Sequence, residues 1–145
     1  RLNDIVDQKG FPDKAGSLRL FKLVNSRPFA MYEVSVDINK PELYRTSRNQ
    51  KYFTQLESSL NILQENTSGG SEPGELRLLK LPALNMEAFW LHYDENEEAD
   101  LIAPVKKFDA DTRFDWQKIY SRSQFWAIIR DYAANIDTSD DLLGG

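Results

Sequence analysis

The sequence predicts a single α+β domain built on one antiparallel sheet of about five strands, with helices packed on one face of that sheet. Strand-like segments follow one another across short connections of turn composition, which is typical of antiparallel hairpins. Two amphipathic helical patterns interrupt them and give the element order β-β-α-β-β-β-α. The length of 145 residues suits one domain. We expect residues 1–17 to form an extended lead-in and residues 137–145 to form an acidic tail.

The first hairpin is predicted from two apolar segments with a turn between them. Residues 18–24 (LRLFKLV) and 29–36 (FAMYEVSV) have strand composition, and the connecting residues 25–28 (NSRP) have turn composition. The next residues, 37–48, are polar and contain Pro41, so the sequence predicts a connection without regular structure there.

An amphipathic helix follows this connection. Four apolar residues recur with the helical period and predict one buried stripe: Phe53, Leu56, Leu60 and Leu63. Ser47 and Gln50 have the spacing of a capping box, which predicts where the helix begins. Residues 66–74 (NTSGGSEPG) are predicted to end the helix in a surface loop.

The stretch from residue 75 to residue 105 predicts the remaining strands. Three segments within it are apolar and rich in β-forming residues: 75–81, 86–93 and 100–105. A helix that begins at Pro82 is an alternative for the middle segment, but its aromatic residues favour a pleated surface. Pro104 has no amide hydrogen, so we expect the last strand to lie at an edge or to end there.

The C-terminal part predicts a second helix. Asp115 is placed to cap a short turn that begins at Trp116, and Ser121 with Gln124 has the spacing of a capping box. Five apolar residues are expected to share one face of this helix: Phe125, Ile128, Ile129, Tyr132 and Ile136.

Composition excludes several classes of function. The net charge is −5 and no basic face stands out, so nucleic acid is not an expected partner. Because there is no cysteine, disulfides, thiolate metal sites and cysteine nucleophiles are excluded. No apolar run reaches the ~20 residues of a membrane-spanning helix. We expect a soluble protein, with the cytoplasm slightly favoured, and the first residue, Arg1, indicates a processed product or a fragment.

Two resemblances concern the fold and one segment. The predicted element order is similar in outline to cystatin-like and nuclear-transport-factor-like sheets, which wrap around a helix, and this likeness implies no function. Residues 77–92 (RLLKLPALNMEAFWLH) resemble uncharacterised bacterial proteins that share the pattern R-L-L-x-x-P-A-L-x-x-x-A-x-W-L-H. The segment covers about a tenth of the chain and implies no activity.

Candidate catalytic and metal-binding groups are few. His92 is the only histidine, and no nucleophile motif accompanies it, so we interpret it as a strand-end residue beside a turn. The acidic run at residues 94–100 lacks the EF-hand pattern, and so do the acidic residues of the segment 109–115. The sequence therefore predicts no metal site and no cofactor. A pair of carboxylates for hydrolysis depends on the fold and stays open.

Strand parity divides the predicted sheet into two faces. The face under the helices is expected to hold Leu18, Leu20, Val24, Tyr32, Val34, Val36, Leu76, Leu78, Ala88 and Trp90. The opposite face mixes charges with apolar residues such as Leu23, Met31, Leu79 and Leu91, which is unlike a purely solvated face. Its candidate binding residues are Phe21, Phe89, Arg19, Glu33, Arg77 and Glu87.

This mixed face favours a non-catalytic protein-interaction or assembly module. Its phenylalanines would supply buried area and its four charges would fix the register of a protein partner or of a second copy. One alternative is a small hydrolase or isomerase with a carboxylate in a pocket of the sheet. Another is a purely structural domain of a longer protein.

Overall fold

The computed structural model describes residues 16–37, 39–67, 74–107 and 112–136. Within these ranges the chain forms β-strands and α-helices in separate blocks, which confirms the predicted α+β class. The strands form two antiparallel sheets of three and four strands, so the prediction of one five-stranded sheet is wrong. Each sheet consists of strands that follow one another in the chain, as strands in antiparallel sheets commonly do. The described residues divide into two compact units, 16–55 and 56–136.

The first unit contains the three-stranded sheet. Its strands are Leu18–Val24 (β1), Arg27–Val34 (β2) and Leu43–Ser47 (β3), in the order β1-β2-β3. Asn25 and Ser26 join β1 to β2 and have φ values of 50° and 63°. Two consecutive positive φ angles are typical of the type I′ turn that closes tight hairpins. The predicted turn therefore shortens to its first two residues.

Strand β3 lies where the sequence predicts an irregular connection. It pairs with β2 through Met31 opposite Ser47 and Glu33 opposite Arg45. A register shift at Glu33 and Val34 interrupts the pairing, as a β-bulge does. The strand has no clear alternation of apolar and polar residues, so its hydrophobic pattern does not reveal it.

Helix α1, Gln50–Thr67, begins one residue after its cap. The Tyr52 amide donates to Asn49 Oδ1 at 3.1 Å, so Asn49 supplies the N-terminal cap. The predicted capping box of Ser47 and Gln50 is wrong. Ser47 is held in β3, and its hydroxyl accepts from the Asn49 amide at 3.3 Å.

The buried stripe of α1 is confirmed at three of its four predicted positions. Phe53, Leu56 and Leu63 are buried, whereas Leu60 is only half-buried. Ser59 is buried beside it, and its hydroxyl donates to the Pro104 carbonyl at 2.8 Å. A polar side chain occupies this buried position because the hydrogen bond satisfies it.

The second unit contains the four-stranded sheet, in the order β4-β5-β6-β7. Its strands are Glu75–Leu81 (β4), Met86–His92 (β5), Leu101–Val105 (β6) and Tyr120–Ser121 (β7). The strand interpretation of β5 is therefore confirmed, and Pro82 begins only a short 3-10 turn, Pro82–Leu84. Strand β7 was not predicted. It pairs with the first two residues of β6, so Pro104 has no strand partner on that side among the described residues, as its missing amide hydrogen favours.

The pairing of β4 with β5 is shifted by one residue from the pairing that the predicted faces require. Leu78 lies opposite Phe89 and Leu79 lies opposite Ala88, whereas the prediction placed Leu78 and Ala88 on one face. A shift of one residue exchanges the two faces of a strand. The connection causes the shift, because it turns through a 3-10 segment and Asn85, whose φ is 48°.

Helix α2, Arg122–Asn135, begins with the predicted capping box. The Gln124 amide donates to Ser121 Oγ at 3.2 Å, and the Ser121 amide donates to Gln124 Oε1 at 3.1 Å. The predicted turn at Asp115 is also present, since the Gln117 amide donates to Asp115 Oδ1 at 3.1 Å. Both caps satisfy amide groups that the turns themselves leave unpaired.

Aromatic side chains form the core beside α2. Phe114 stacks on Phe125 with ring centroids 5.2 Å apart and meets the Tyr120 ring edge-on at 5.3 Å. Phe125 and Ile129 are buried as predicted, but Tyr132 is exposed on the predicted apolar face. In the part of the chain that the structure describes, no helix is long and apolar enough to cross a membrane.

Candidate functional site

A fully buried carboxylate, Asp100, lies just before β6. Its side chain is 0% exposed. Trp90 Nε1 donates to its Oδ2 at 2.7 Å, and the Tyr93 amide donates to its Oδ1 at 2.9 Å. His92 Nδ1 lies 3.0 Å from Oδ2, and Arg122 Nη1 lies 3.6 Å from the same oxygen. We call Trp90, His92, Asp100 and Arg122 the Asp100 cluster.

His92 lies between two carboxylates within this cluster. Its Nδ1 faces Asp100, and its Nε2 lies 3.2 Å from Asp94 Oδ1. A neutral ring that donates from Nδ1 keeps Nε2 as an acceptor, whereas a protonated ring donates to both carboxylates. The predicted position of His92 at a strand end beside the turn is confirmed. Its pairing with Asp100 was not predicted, because that contact depends on how the β5–β6 hairpin closes.

Two arginines lie over the Trp90 ring, with guanidinium carbons 5.1 Å (Arg77) and 5.8 Å (Arg122) from its centroid. Arg77 Nη2 also donates to Glu75 Oε2 at 2.5 Å, and Arg122 Nη1 lies 2.7 Å from Glu97 Oε2. The hydrogen bond from Arg77 holds the pKa of Glu75 below its usual value, and in return raises the pKa of Arg77. The charges around Trp90 are therefore matched by near neighbours.

The Asp100 cluster has the histidine and carboxylate of a catalytic dyad but the contacts of a structural one. In a dyad Nε2 takes the proton of a nucleophile. Here Nε2 faces Asp94, whose side chain is 83% exposed. Asp100 instead joins β5, the acidic turn and the start of α2 through three different groups. We therefore assign the cluster to stabilisation of this end of the sheet.

Among the described residues, no group of three or more histidine, aspartate or glutamate side chains is placed to hold a metal ion. Asp109 and Asp111, for which the sequence predicts no metal site, lie outside the described residues.

The face of the three-stranded sheet that packs on the first turn of α1 is here called the inner face. Phe21 meets the Phe53 ring edge-on at 6.1 Å, and Arg19 Nη1 donates to the Tyr52 hydroxyl. Arg19 also lies 3.6 Å from Glu33, and both side chains are largely buried. The sequence predicts that these residues lie on the side away from the helices, so the predicted assignment of the two faces is wrong. Parity alone separates two faces but does not say which one the helix covers.

The opposite, outer face of this sheet is apolar and exposed. Leu18, Val34 and Leu43 lie in one row across the three strands, and Leu20 and Tyr32 lie beside them. Leu18 is 46%, Leu20 52% and Leu43 61% exposed. Tyr32 and Val34 are half-buried between them, and the exposed area ends at Ala30, which is buried. Scattered apolar residues are ordinary on a surface, but these apolar residues are contiguous.

Charge distinguishes the two units. Residues 16–55 contain seven lysines and arginines but three aspartates and glutamates, a net charge of +4. Residues 56–136 contain eight and fourteen, a net charge of −6. The first unit is therefore basic although the net charge of the whole chain is negative. The outer face belongs to this basic unit.

The six predicted binding residues do not share one surface. Arg19, Phe21 and Glu33 lie on the inner face of the three-stranded sheet. In the other sheet Arg77 lies opposite Trp90 on one face, whereas Phe89 and Glu87 lie on the reverse face. Glu87 is buried there, with its Oε1 3.9 Å from Lys107 Nζ, and Phe89 is half-buried.

The residues that the prediction missed are those of the outer face. The sequence predicts Leu18 and Leu20 on the buried face and an irregular segment at Leu43, whereas all three are exposed on the outer face. The available signal was the sequence Leu43-Tyr44-Arg45-Thr46, whose residue types suit a strand despite Pro41 nearby.

Comparison of the chain with protein-family models, with curated proteins and with solved structures finds no match.

Proposed function

We propose that the protein is a non-catalytic interaction module that binds a protein partner through the outer face of its three-stranded sheet. The observation that carries this proposal is the set of three exposed leucines, Leu18, Leu20 and Leu43, on one face of the three-stranded sheet. Exposing three leucines on one face leaves unburied apolar area, and a partner that covers them recovers the hydrophobic free energy.

The surroundings of these leucines suit an interface. Lys22 follows Leu20 on the same side of β1, and Tyr44 and Val36 are exposed nearby. An apolar centre with tyrosine and charge at its border is the composition of interfaces whose central residues are desolvated on binding. The module function agrees with the sequence-based expectation, but the surface is the opposite face of the sheet.

The experiment is selection of displayed random peptides on the purified protein. A double variant, Leu20→Ser with Leu43→Ser, removes the centre of the outer face. Leu76→Ser is the matched control, since Leu76 is 49% exposed but lies on β4 of the other sheet. Far-ultraviolet circular dichroism would verify that all three proteins keep their secondary structure.

We expect enriched peptides to lose affinity for the double variant by about tenfold or more, as loss of interface anchors produces. The control should bind them as the parent protein does. Peptides that bind the double variant with unchanged affinity would overturn the proposal, and so would a selection that enriches nothing above empty beads.

A further inference from the structure

The four sheet edges of the described residues differ in how well they are protected against pairing. Strand β7 has two residues, and β3 carries the irregular pairing near Val34. Strand β4 carries three charged residues of mixed sign along its seven residues. Strand β1 carries two cations, and it pairs regularly with β2 over five residues, Leu18 to Lys22, before a register shift at Leu23. Among the described residues it pairs with no other strand. Short, irregular or charged edges resist strand addition, so β1 is the edge best suited to accept a strand.

The side chains of β1 define what such a strand would meet. On the outer face, an added strand would meet the side chains of Leu18, Leu20 and Lys22 in that order. Two of these are apolar and one is a cation. Arg19, which lies on the inner face, is already paired with Glu33. An added strand would therefore place two apolar side chains and one acidic side chain on the outer face, because opposite charges in neighbouring strands attract.

We infer that the partner contributes an acidic, extended segment that pairs with the edge of β1 as a fourth strand and lays its apolar side chains beside Leu18 and Leu20. This inference rests on the proposed function and specifies its partner. Main-chain hydrogen bonds supply affinity in this mode, and alternate side chains supply specificity.

Charge and backbone chemistry favour this occupant over two others. A second copy would bring another unit of net charge +4 and a second Lys22 to the same edge, which like-charge repulsion opposes. An anionic lipid surface would match the charge, but it would leave the main-chain groups of the edge without the partners that they need in an apolar layer. An acidic strand satisfies both requirements.

The probe is the fluorescein-labelled peptide TETVTVT, whose glutamate and two valines face Lys22, Leu20 and Leu18 in an antiparallel pairing. Its counterpart TKTVTVT replaces the glutamate by lysine. Two further versions of the glutamate peptide carry N-methyl groups on alternate residues: one on the odd-numbered residues and one on the even-numbered residues. Alternate amides of a strand point to opposite edges, so each set of methyl groups, or phase, blocks hydrogen bonding along one edge. The two versions therefore serve as controls for one another. Fluorescence anisotropy would measure binding to the parent protein and to Lys22→Glu.

We expect the parent protein to prefer the glutamate peptide by about twofold to fivefold, as a cross-strand ion pair provides, and Lys22→Glu to reverse the preference. One N-methylated phase should lose binding while the other keeps it. Equal binding of both phases would overturn strand addition, and so would the absence of binding by either unmethylated peptide. Preserved charge preference in Lys22→Glu would overturn the assigned contact.

The last experiment measures binding of the parent protein and of Lys22→Glu to phosphatidylserine vesicles. If they bind the protein in a Lys22-dependent manner and the peptides do not, the occupant is a lipid surface and the inference is wrong. If displayed peptides require Leu20 and Leu43 but tolerate N-methylation in both phases, the interaction module stands and only strand addition fails.

Discussion

The two sheets of this protein use strands of similar apolar content in opposite ways. In β5 of the four-stranded sheet, five of seven side chains are buried, whereas in β1 of the three-stranded sheet six of seven are exposed. Strand β5 lies between two neighbours, and α2 packs against β6 and β7 in the same unit. Strand β1 has a neighbour on one side only in the described part of the chain. The difference therefore arises from what surrounds each strand rather than from its hydrophobicity.

The comparison separates stability from recognition. The four-stranded unit contains the fully buried Asp100, the aromatic core beside α2 and a net negative charge. The three-stranded unit keeps apolar area and positive charge on its surface. We expect substitutions in the four-stranded unit to alter mainly the free energy of unfolding. Substitutions on the outer face of the three-stranded sheet should alter mainly binding.

The largest expected effect is that of Phe125→Ala. Phe125 is 0% exposed and stacked on Phe114, so its truncation should cost about 3–5 kcal/mol of unfolding free energy. Urea denaturation followed by tryptophan fluorescence measures this loss, because all three tryptophans lie in the second unit. Phe21→Ala is the comparison variant. Phe21 is 38% exposed, so its truncation should lower the unfolding free energy by less than half as much. Urea denaturation followed by circular dichroism measures this loss. Equal losses would remove the contrast between the two sheets.

Asp100→Asn should destabilise the second unit by about 3 kcal/mol, since it alters one member of a buried, hydrogen-bonded charge group. Asparagine keeps the size of the side chain but loses one acceptor oxygen and the negative charge. Asp94→Asn is the control, and a change within about 0.5 kcal/mol is expected because Asp94 is exposed. If the control loses as much, the role assigned to Asp100 is wrong. Urea denaturation midpoints measured by tryptophan fluorescence decide between these results.

A smaller effect is expected at the start of α1, within the three-stranded unit. Asn49→Ala removes the oxygen that accepts from the Tyr52 amide and should cost about 1 kcal/mol. Ser47→Ala should cost less than half of that, because Ser47 caps no amide of the helix. Thermal or urea unfolding followed at a helical circular dichroism band compares the two variants. A larger loss for Ser47→Ala would restore the predicted capping box.

The smallest effect concerns the pKa of Glu75. The hydrogen bond from Arg77 lowers this pKa in the folded protein, so the stabilisation is present above the unfolded-state pKa and is lost as the pH falls through the folded-state pKa. Arg77→Gln should therefore raise the pKa of Glu75, as carboxyl-carbon NMR titration would detect. Lys80→Gln removes another cation of β4 and should leave the titration of Glu75 unchanged. A pKa of Glu75 that is the same in Arg77→Gln and in the parent protein would contradict the assignment.

Patterns that act within one element were predicted well. The stripe of Phe53, Leu56 and Leu63 and the capping box of Ser121 and Gln124 lie within a few residues of each other in the chain. Their spacing alone places them on one face or at one helix end, because the helical period and cap geometry are local. The first hairpin was predicted for the same reason, since its turn residues adjoin its strands.

The number of sheets, the register of β4 against β5 and the exposed side of the first sheet were decided only by the tertiary structure. The Pro82–Leu84 turn shifts the pairing of β4 with β5, so β4 presents the opposite face from the predicted one. In the other sheet, the first turn of α1 packs on Arg19 and Phe21 rather than on Leu18 and Leu20. These outcomes depend on which of two alternating faces meets another element, and a period of two residues carries no information about that choice. The sequence alone thus determined the α+β class and the positions of most strands and helices, while packing determined where a partner can bind.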